Sequence, residues 1–232
     1  MAYNFTAASS QYLTIGTSSS LAFGKDDIFT VAGWFYIPSV GVPTGFYPLV
    51  NKQQNSGNGT GWAVNYYHNF NVGAPGIGNF LGFQKRFSGT DQAWASISFT
   101  ATNGSWFHAA FSTASASTND MKIYANGVQG TNQITGNTLI SSITNSVIPQ
   151  INGRNGANNL NSFQSAEVGI YNAALTQPEI ASLAKGMTCD KIRPQNLVFY
   201  APLVRDLIDQ KGGLTITNNN GATVDNHPRV YA

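Results

Sequence analysis

The chain has 232 residues, is 42% hydrophobic and 12% aromatic, and carries a formal net charge of +2. Asp, Glu, Lys and Arg make up only 9%, against about a quarter in ordinary soluble proteins, yet the aromatic content argues against disorder and the longest apolar runs are strand-length rather than the ~18 residues of a membrane span. The basic residues are scattered, so the clustered patch of a nucleic-acid binder is missing. Cys189 is the single cysteine, which excludes an intramolecular disulfide framework and a Cys-based metal cluster. The opening Met1-Ala2-Tyr3-Asn4-Phe5 has neither the charged nor the apolar region of a secretion signal.

Taken along the chain, short β-type runs separated by Gly, Asn and Ser clusters predict strands at 11–16, 28–37, 46–52, 61–67, 79–86, 93–100, 106–113, 120–125, 147–152, 163–171 and 197–203. Asn-Gly pairs at 58, 103, 126, 152, 155 and 220 mark turns, because both residues tolerate positive φ. The run Phe29–Ile37 is apolar on both alternations, as a central strand covered on both faces requires. One helix is predicted: Thr176-Gln177-Pro178-Glu179 forms a capping box with Pro in the first turn, Ile180, Leu183, Ala184 and Met187 give an apolar stripe, and Gly186 stops it. Lys191-Ile192-Arg193-Pro194 reads as a linker, 206–213 as a charged turn and 214–217 as a short strand. The expected architecture is all-β: a two-sheet antiparallel sandwich, or jelly roll, with one short helix near the C-terminal part. Residues 1–187 form that sandwich, and 188–232 a tail that packs on it or serves as an attachment arm.

Six segments, in order, carry a family resemblance. They are Ala8-Ser9-Ser10-Gln11-Tyr12-Leu13-Thr14-Ile15, Phe29-Thr30-Val31-Ala32-Gly33-Trp34, Pro48-Leu49-Val50-Asn51-Lys52, Trp106-Phe107-His108-Ala109-Ala110, Ile123-Tyr124-Ala125-Asn126-Gly127, and the stretch from Ala166-Glu167-Val168 through Leu175 to Glu179-Ile180. Their order resembles the laminin-G-like branch of the concanavalin A-like lectin/glucanase superfamily, which implies a jelly roll over about 8–187. The tail, from Arg193-Pro194-Gln195-Asn196-Leu197 to His227-Pro228-Arg229, resembles the endings of bacteriophage-encoded structural proteins with this sandwich. Where the family often carries acids, this chain has Ala166 and Asn126. Calcium prefers several hard oxygen ligands including carboxylates, so no metal and no cofactor is expected.

Catalysis is not expected either. Glycoside hydrolysis usually takes two carboxylates across the scissile bond, and the ten acids here show no alternation on one strand face. No Gly-x-Ser-x-Gly elbow accompanies His68, His108 and His227. His108 reads as a hydrogen-bonded structural histidine within a strand, and the pair Asp206 and Asp209 as a solvated turn. Glycan binding needs aromatic faces with amides beside them; the candidates are Tyr66, Tyr67, His68, Trp94 and Arg154 around the loops 51–61, 68–79 and 153–161, with His68 in a turn and Trp34, Trp62 and Trp106 in the core. The expected role is non-enzymatic: a virion structural protein on a phage surface (capsid decoration or tail/fibre), homo-oligomeric, assembled in the host cytoplasm, with other virion proteins and a cell-surface glycan as partners and neither nucleic acid nor membrane. The alternative is a free or cell-associated lectin, with a glycoside hydrolase as the minor one.

Overall fold

A computed structural model describes residues 2–38, 43–55, 59–71, 76–133, 139–156 and 160–231. Within these residues fifteen strands run in chain order: β1 (Ala2–Phe5), β2 (Tyr12–Ile15), β3 (Phe29–Ile37), β4 (Gly45–Gln53), β5 (Gly61–Asn71), β6 (Ile77–Arg86), β7 (Gln92–Ser98), β8 (Ser105–Thr113), β9 (Met121–Ala125), β10 (Val128–Gln129), β11 (Gln150–Ile151), β12 (Phe163–Tyr171), β13 (Leu197–Ala201), β14 (Ile216–Asn219) and β15 (Thr223–Asp225). One α-helix, α1 (Gln177–Ala184), follows β12. Among the described residues no helix is long and apolar enough to cross a membrane.

The strands form two antiparallel sheets. An eight-stranded sheet runs β10-β9-β8-β3-β12-β1-β15, with β13 also paired to β12, and a seven-stranded sheet runs β14-β2-β11-β4-β5-β6-β7. Alternate residues of each sheet meet in one core between them, as a two-sheet sandwich demands. Phe23 stacks on Phe29 at 4.3 Å, Phe29 meets Phe83 edge-on at 5.6 Å, and Phe83 meets Phe111 at 6.2 Å. Trp62 and Tyr66 are fully buried in the same cluster.

The continuous apolar run of β3 lies in the interior of its sheet, between β8 and β12. Its inner residues Phe29, Val31, Phe35 and Ile37 join the core, while Ala32 faces outward into a second apolar cluster. That cluster exists because α1 covers this outer face: Ile180 and Leu183 pack with Ala32, Ala110, Tyr124, Tyr171, Leu197 and Tyr200. The helix rests on the β9–β10 hairpin, where Asn126 (φ 50°) and Gly127 (φ 81°) both take the left-handed turn conformation. A Cβ at Gly127 would lie 2.9 Å from Ala184 Cβ, so glycine also permits the close approach. Glu179 Oε2 accepts from the Thr176 N–H at 2.7 Å, closing the N-terminus of α1, and Arg193 grips Glu179 bidentately at 2.7 and 2.8 Å.

Residues beyond α1 enter both sheets. β13 pairs with β12, β14 with β2, and β15 with β1. Asp209 is buried rather than part of a solvated turn: its carboxylate accepts the N–H groups of Tyr200, Lys211, Gly212 and Leu214 at 3.0–3.1 Å, which fastens the 209–214 turn to β13. Glu167 sits at a bulge in β12 with φ 54°; its buried carboxylate accepts from Tyr200 Oη and lies 3.2 Å from His227 Nε2. The sequence reading misses β1, β10 and β15, which are too short to show a pattern, and the strand expected at 214–217 lies at Ile216–Asn219. The Asn58-Gly59 pair lies partly outside the described residues.

A candidate ligand groove on the seven-stranded sheet

Among the described residues no helix lies over the outer face of the seven-stranded sheet. Antiparallel register lines up outward residues in rows across β4, β5, β6 and β7. Phe46, Tyr67, Phe80 and Ser98 form one row; Asn65, Gly82 and Ser96 the next; Asn51, Ala63, Gln84 and Trp94 a third; Gln53, Gly61, Arg86 and Gln92 the last. The face thus passes from an aromatic end to an amide and guanidinium end. Arg154 and Asn161 add to its wall.

These residues enclose a groove of about 650 Å³, within the ~300–1,000 Å³ typical of small-ligand sites. Tyr67 is its centre, with Phe46 at 5.4 Å, Phe70 at 5.7 Å and Trp94 at 6.3 Å, all tilted. Gly82 makes this possible. A Cβ there would stand 2.7 Å from the Tyr67 ring and 3.3 Å from Trp94 Nε1, so both aromatics settle over bare backbone. Several polar atoms on this face are buried and lack a hydrogen-bond partner, namely Asn51 Nδ2, Ser96 Oγ and Trp94 Nε1. Buried polar atoms are seldom left unpaired without a reason such as a ligand or water.

Arg154 is held in place by its Nε, which donates to the Gln54 carbonyl at 3.1 Å, and a side chain at Gly59 would collide with its guanidinium. Burial, and then the nearby positive charge of Arg86, hold the Arg154 guanidinium below its ordinary pKa. Burial pushes the Tyr67 phenol up to about 12, opposed by the neighbouring Asn65 side chain and by the charges of Arg154 and Arg86. Tyr67, Arg154 and Arg86 therefore sense one another across one groove. None of the ten Asp and Glu residues lines it. Asp91, next to Gln92 in sequence, instead accepts the N–H groups of Ile140 and Ser141 at 2.8 Å.

Of the five residues singled out from sequence, the structure brings Tyr67, Trp94 and Arg154 into this groove. Tyr66 faces the core, 5.9 Å from Tyr47 and from Phe107, because it sits one residue out of phase with Tyr67. His68 lies within β5 rather than in a turn, 6.3 Å from Tyr66 and away from the groove. The sequence reading does not single out Phe46, Phe70, Arg86 or the glutamines; alternation along β7 from Trp94 reaches Gln92, whereas Gln84 and Arg86 enter through the register of β6 with β7. Trp34 and Trp106 lie half-exposed on the outer face of the eight-stranded sheet, not in the core. His108 beside them is buried, 5.4 Å from Trp34, and its Nδ1 has no partner; burial alone pulls its pKa down to about 3. Cys189 is enclosed, with its thiol pKa raised by burial and then by Glu167. Among the described residues no three His, Cys, Asp or Glu side chains come together to hold a metal ion.

Two packed antiparallel sheets with one open, aromatic-lined outer face define a lectin-type sandwich. The Laminin G 3 family model, described as the concanavalin A-like lectin/glucanases superfamily, matches residues 7–181, and the chain belongs to that family. No curated protein matches the sequence. Among solved structures, a Bacteroides ovatus protein assigned to carbohydrate binding superposes with a TM-score of 0.65 at 15% identity, covering 96% of this chain and 58% of that one. The binding domain of Paraclostridial Mosquitocidal Protein 1 superposes with a TM-score of 0.54 at 20% identity, covering 73% and 40%. This chain spans less than two thirds of either, and at such identities the likeness is one of fold.

Proposed function

We propose that the chain is a non-enzymatic glycan-binding module whose site is the groove on the seven-stranded sheet. The observation that carries this reading is the Tyr67–Trp94–Phe46 cluster seated over Gly82, with Gln53, Gln84 and Gln92 beside it. Aromatic faces pack against the apolar faces of sugar rings, and amides match both the donor and the acceptor of a hydroxyl. The Bacteroides ovatus fold-relative, assigned to carbohydrate binding, supports the same reading. A groove wall without a carboxylate favours binding over hydrolysis, which takes a pair of them. A glycan array probed with the intact protein and with Trp94→Ala tests it: hits on the intact protein that vanish in the variant are expected. An array without hits, or hits unchanged in the variant, would contradict it.

The setting we propose is the surface of a phage particle, with copies of the module gaining avidity from weak contacts to a cell-surface glycan. The sequence resemblance of 193–229 to phage-encoded structural proteins is what supports this. Recovery of the chain in fixed stoichiometry with purified particles is the expected result, and its absence from them would remove the virion role while leaving a free lectin.

A further inference from the structure

The three glutamines of the groove are joined in one direction. Gln53 Nε2 donates to Gln84 Oε1 at 3.2 Å, Gln84 Nε2 donates to Gln92 Oε1 at 2.8 Å, and Gln92 Nε2 donates to the Gly89 carbonyl at 3.2 Å. This run of amides crosses from β4 to β7 over β5, where the register sets only Ala63 and Gly61 in its path. Each amide polarises the next, so the run is held more firmly than separate bonds would be. Gln53 is buried and anchors it, whereas Gln84 and Gln92 are half-buried and line the groove. An amide nitrogen carries two N–H donors and an amide oxygen two lone pairs. With the bonds above made, Gln84 and Gln92 each keep one N–H and one lone pair, side by side and in a fixed order. Gln84 is also the register partner of Trp94, which places these groups beside the indole.

We infer that Gln84 and Gln92 read two adjacent free hydroxyls on a sugar whose ring face lies against Trp94 and Tyr67. A hydroxyl both donates and accepts, so each of the two accepts from one amide N–H and donates to one amide oxygen. A carboxylate or an ether oxygen only accepts, and would leave the amide oxygens facing a second acceptor. The ligand class is therefore a glycan with unsubstituted neighbouring hydroxyls. Gln84, at the middle of the run, sets the order of donors and acceptors. The aromatic rings contribute most of the contact area, and the glutamines contribute the selection.

This inference rests on the glycan-binding reading, and the experiment separates the two. The full chain is titrated calorimetrically with the β-1,4-linked hexaoses of glucose and of mannose, which carry adjacent free hydroxyls on every ring, and with the O-methylated twin of each. At least one hexaose is expected to bind about tenfold more tightly than its methylated twin. In Gln84→Leu that ratio falls towards unity, whereas Trp94→Ala lowers affinity for both members of the pair. Gln84→Glu, which still accepts from Gln53 but offers no N–H to Gln92, loses the preference as well. Gln92→Leu repeats the test from β7 should Gln84→Leu not fold. Equal affinity for the two twins, or a preference that persists in Gln84→Leu and in Gln92→Leu, overturns the inference and leaves glycan binding standing. Failure of both hexaoses with a protein that scores on the array above does the same. Failure of both hexaoses and of the array defeats the groove reading itself.

Discussion

The two outer faces of the sandwich have opposite fates. On the eight-stranded sheet the outward residues near α1 are Ala32, Ala110, Tyr124, Tyr171 and Leu197, and the chain covers them with Ile180, Leu183, Cys189 and Ile192. On the seven-stranded sheet the outward residues are amides, hydroxyls, guanidiniums and aromatic rings, and no element of the described residues lies over them. The first face spends its apolar area on stability, the second keeps its area for another molecule. Strand β6 shows the divide within three residues. Gln84 and Arg86 point to the groove, whereas Lys85 between them points inward, where its Nζ donates to the Lys25 carbonyl at 2.8 Å, Thr113 Oγ1 at 3.0 Å and the Ser115 carbonyl.

The contrast predicts that lesions on the covered face cost stability and spare binding, while lesions on the open face do the reverse. Ile180→Ala, fully buried under α1, is expected to lower the unfolding free energy by about 3 kcal/mol in urea melts, with glycan affinity unchanged. A variant that loses affinity while folded would show that the cap and the groove are coupled.

Lys85 gives the next effect, through pH. Burial lowers its pKa from 10.5 to about 8, with Asp26 and Asp120 opposing. Below that value both folded and unfolded chains carry the proton, and the cost of the buried charge is constant. As pH rises from about 8 to 10.5 the unfolded chain holds a proton that the folded chain has released, so stability rises through this window. Relative to Lys85→Met the gain is on the order of 3 kcal/mol at most, read from urea melts at pH 7.5 and 10. A flat difference would show the ammonium to be fully compensated by its three oxygens.

Gly82→Val places a branched side chain against the Tyr67 ring and Trp94. Affinity should fall about tenfold, some 1.4 kcal/mol, with a smaller change in melting temperature. Unchanged affinity would mean that the rings are not the contact surface. The smallest effect belongs to Glu179→Gln, which weakens the bidentate Arg193 pair and the cap of α1. The bonds from Thr176 and Arg193 hold this carboxyl below its usual range against the effect of burial. A loss of about 1 kcal/mol is expected at pH 7, fading as pH falls through the carboxylate range because the wild-type carboxyl then protonates too.

Legibility in the sequence follows the same divide. β3 and β12 were readable because they are long and apolar, and α1 because its cap and stripe are local signals. β1 and β15 are short and paired with each other across more than 200 residues, so nothing near them in sequence announces the pairing. Tyr67, Trp94 and Arg154 stand out as residue types, but the fates of Tyr66 and Tyr67 depend on strand phase. Phe46 and Arg86 join the site through the pairing register of neighbouring strands, which residue type and strand phase alone do not fix. Asp209 looks like any acid in a turn until its four backbone donors are in view.

The chain has four tryptophans, and only one of them lines the groove. Their indole N–H signals in a ¹⁵N-correlated spectrum therefore report separately on each face and on the core. Titration with a glycan identified on the array should shift the Trp94 signal and leave those of Trp34, Trp62 and Trp106 in place. Shifts confined to Trp34 and Trp106 would move the site to the eight-stranded sheet and contradict the account.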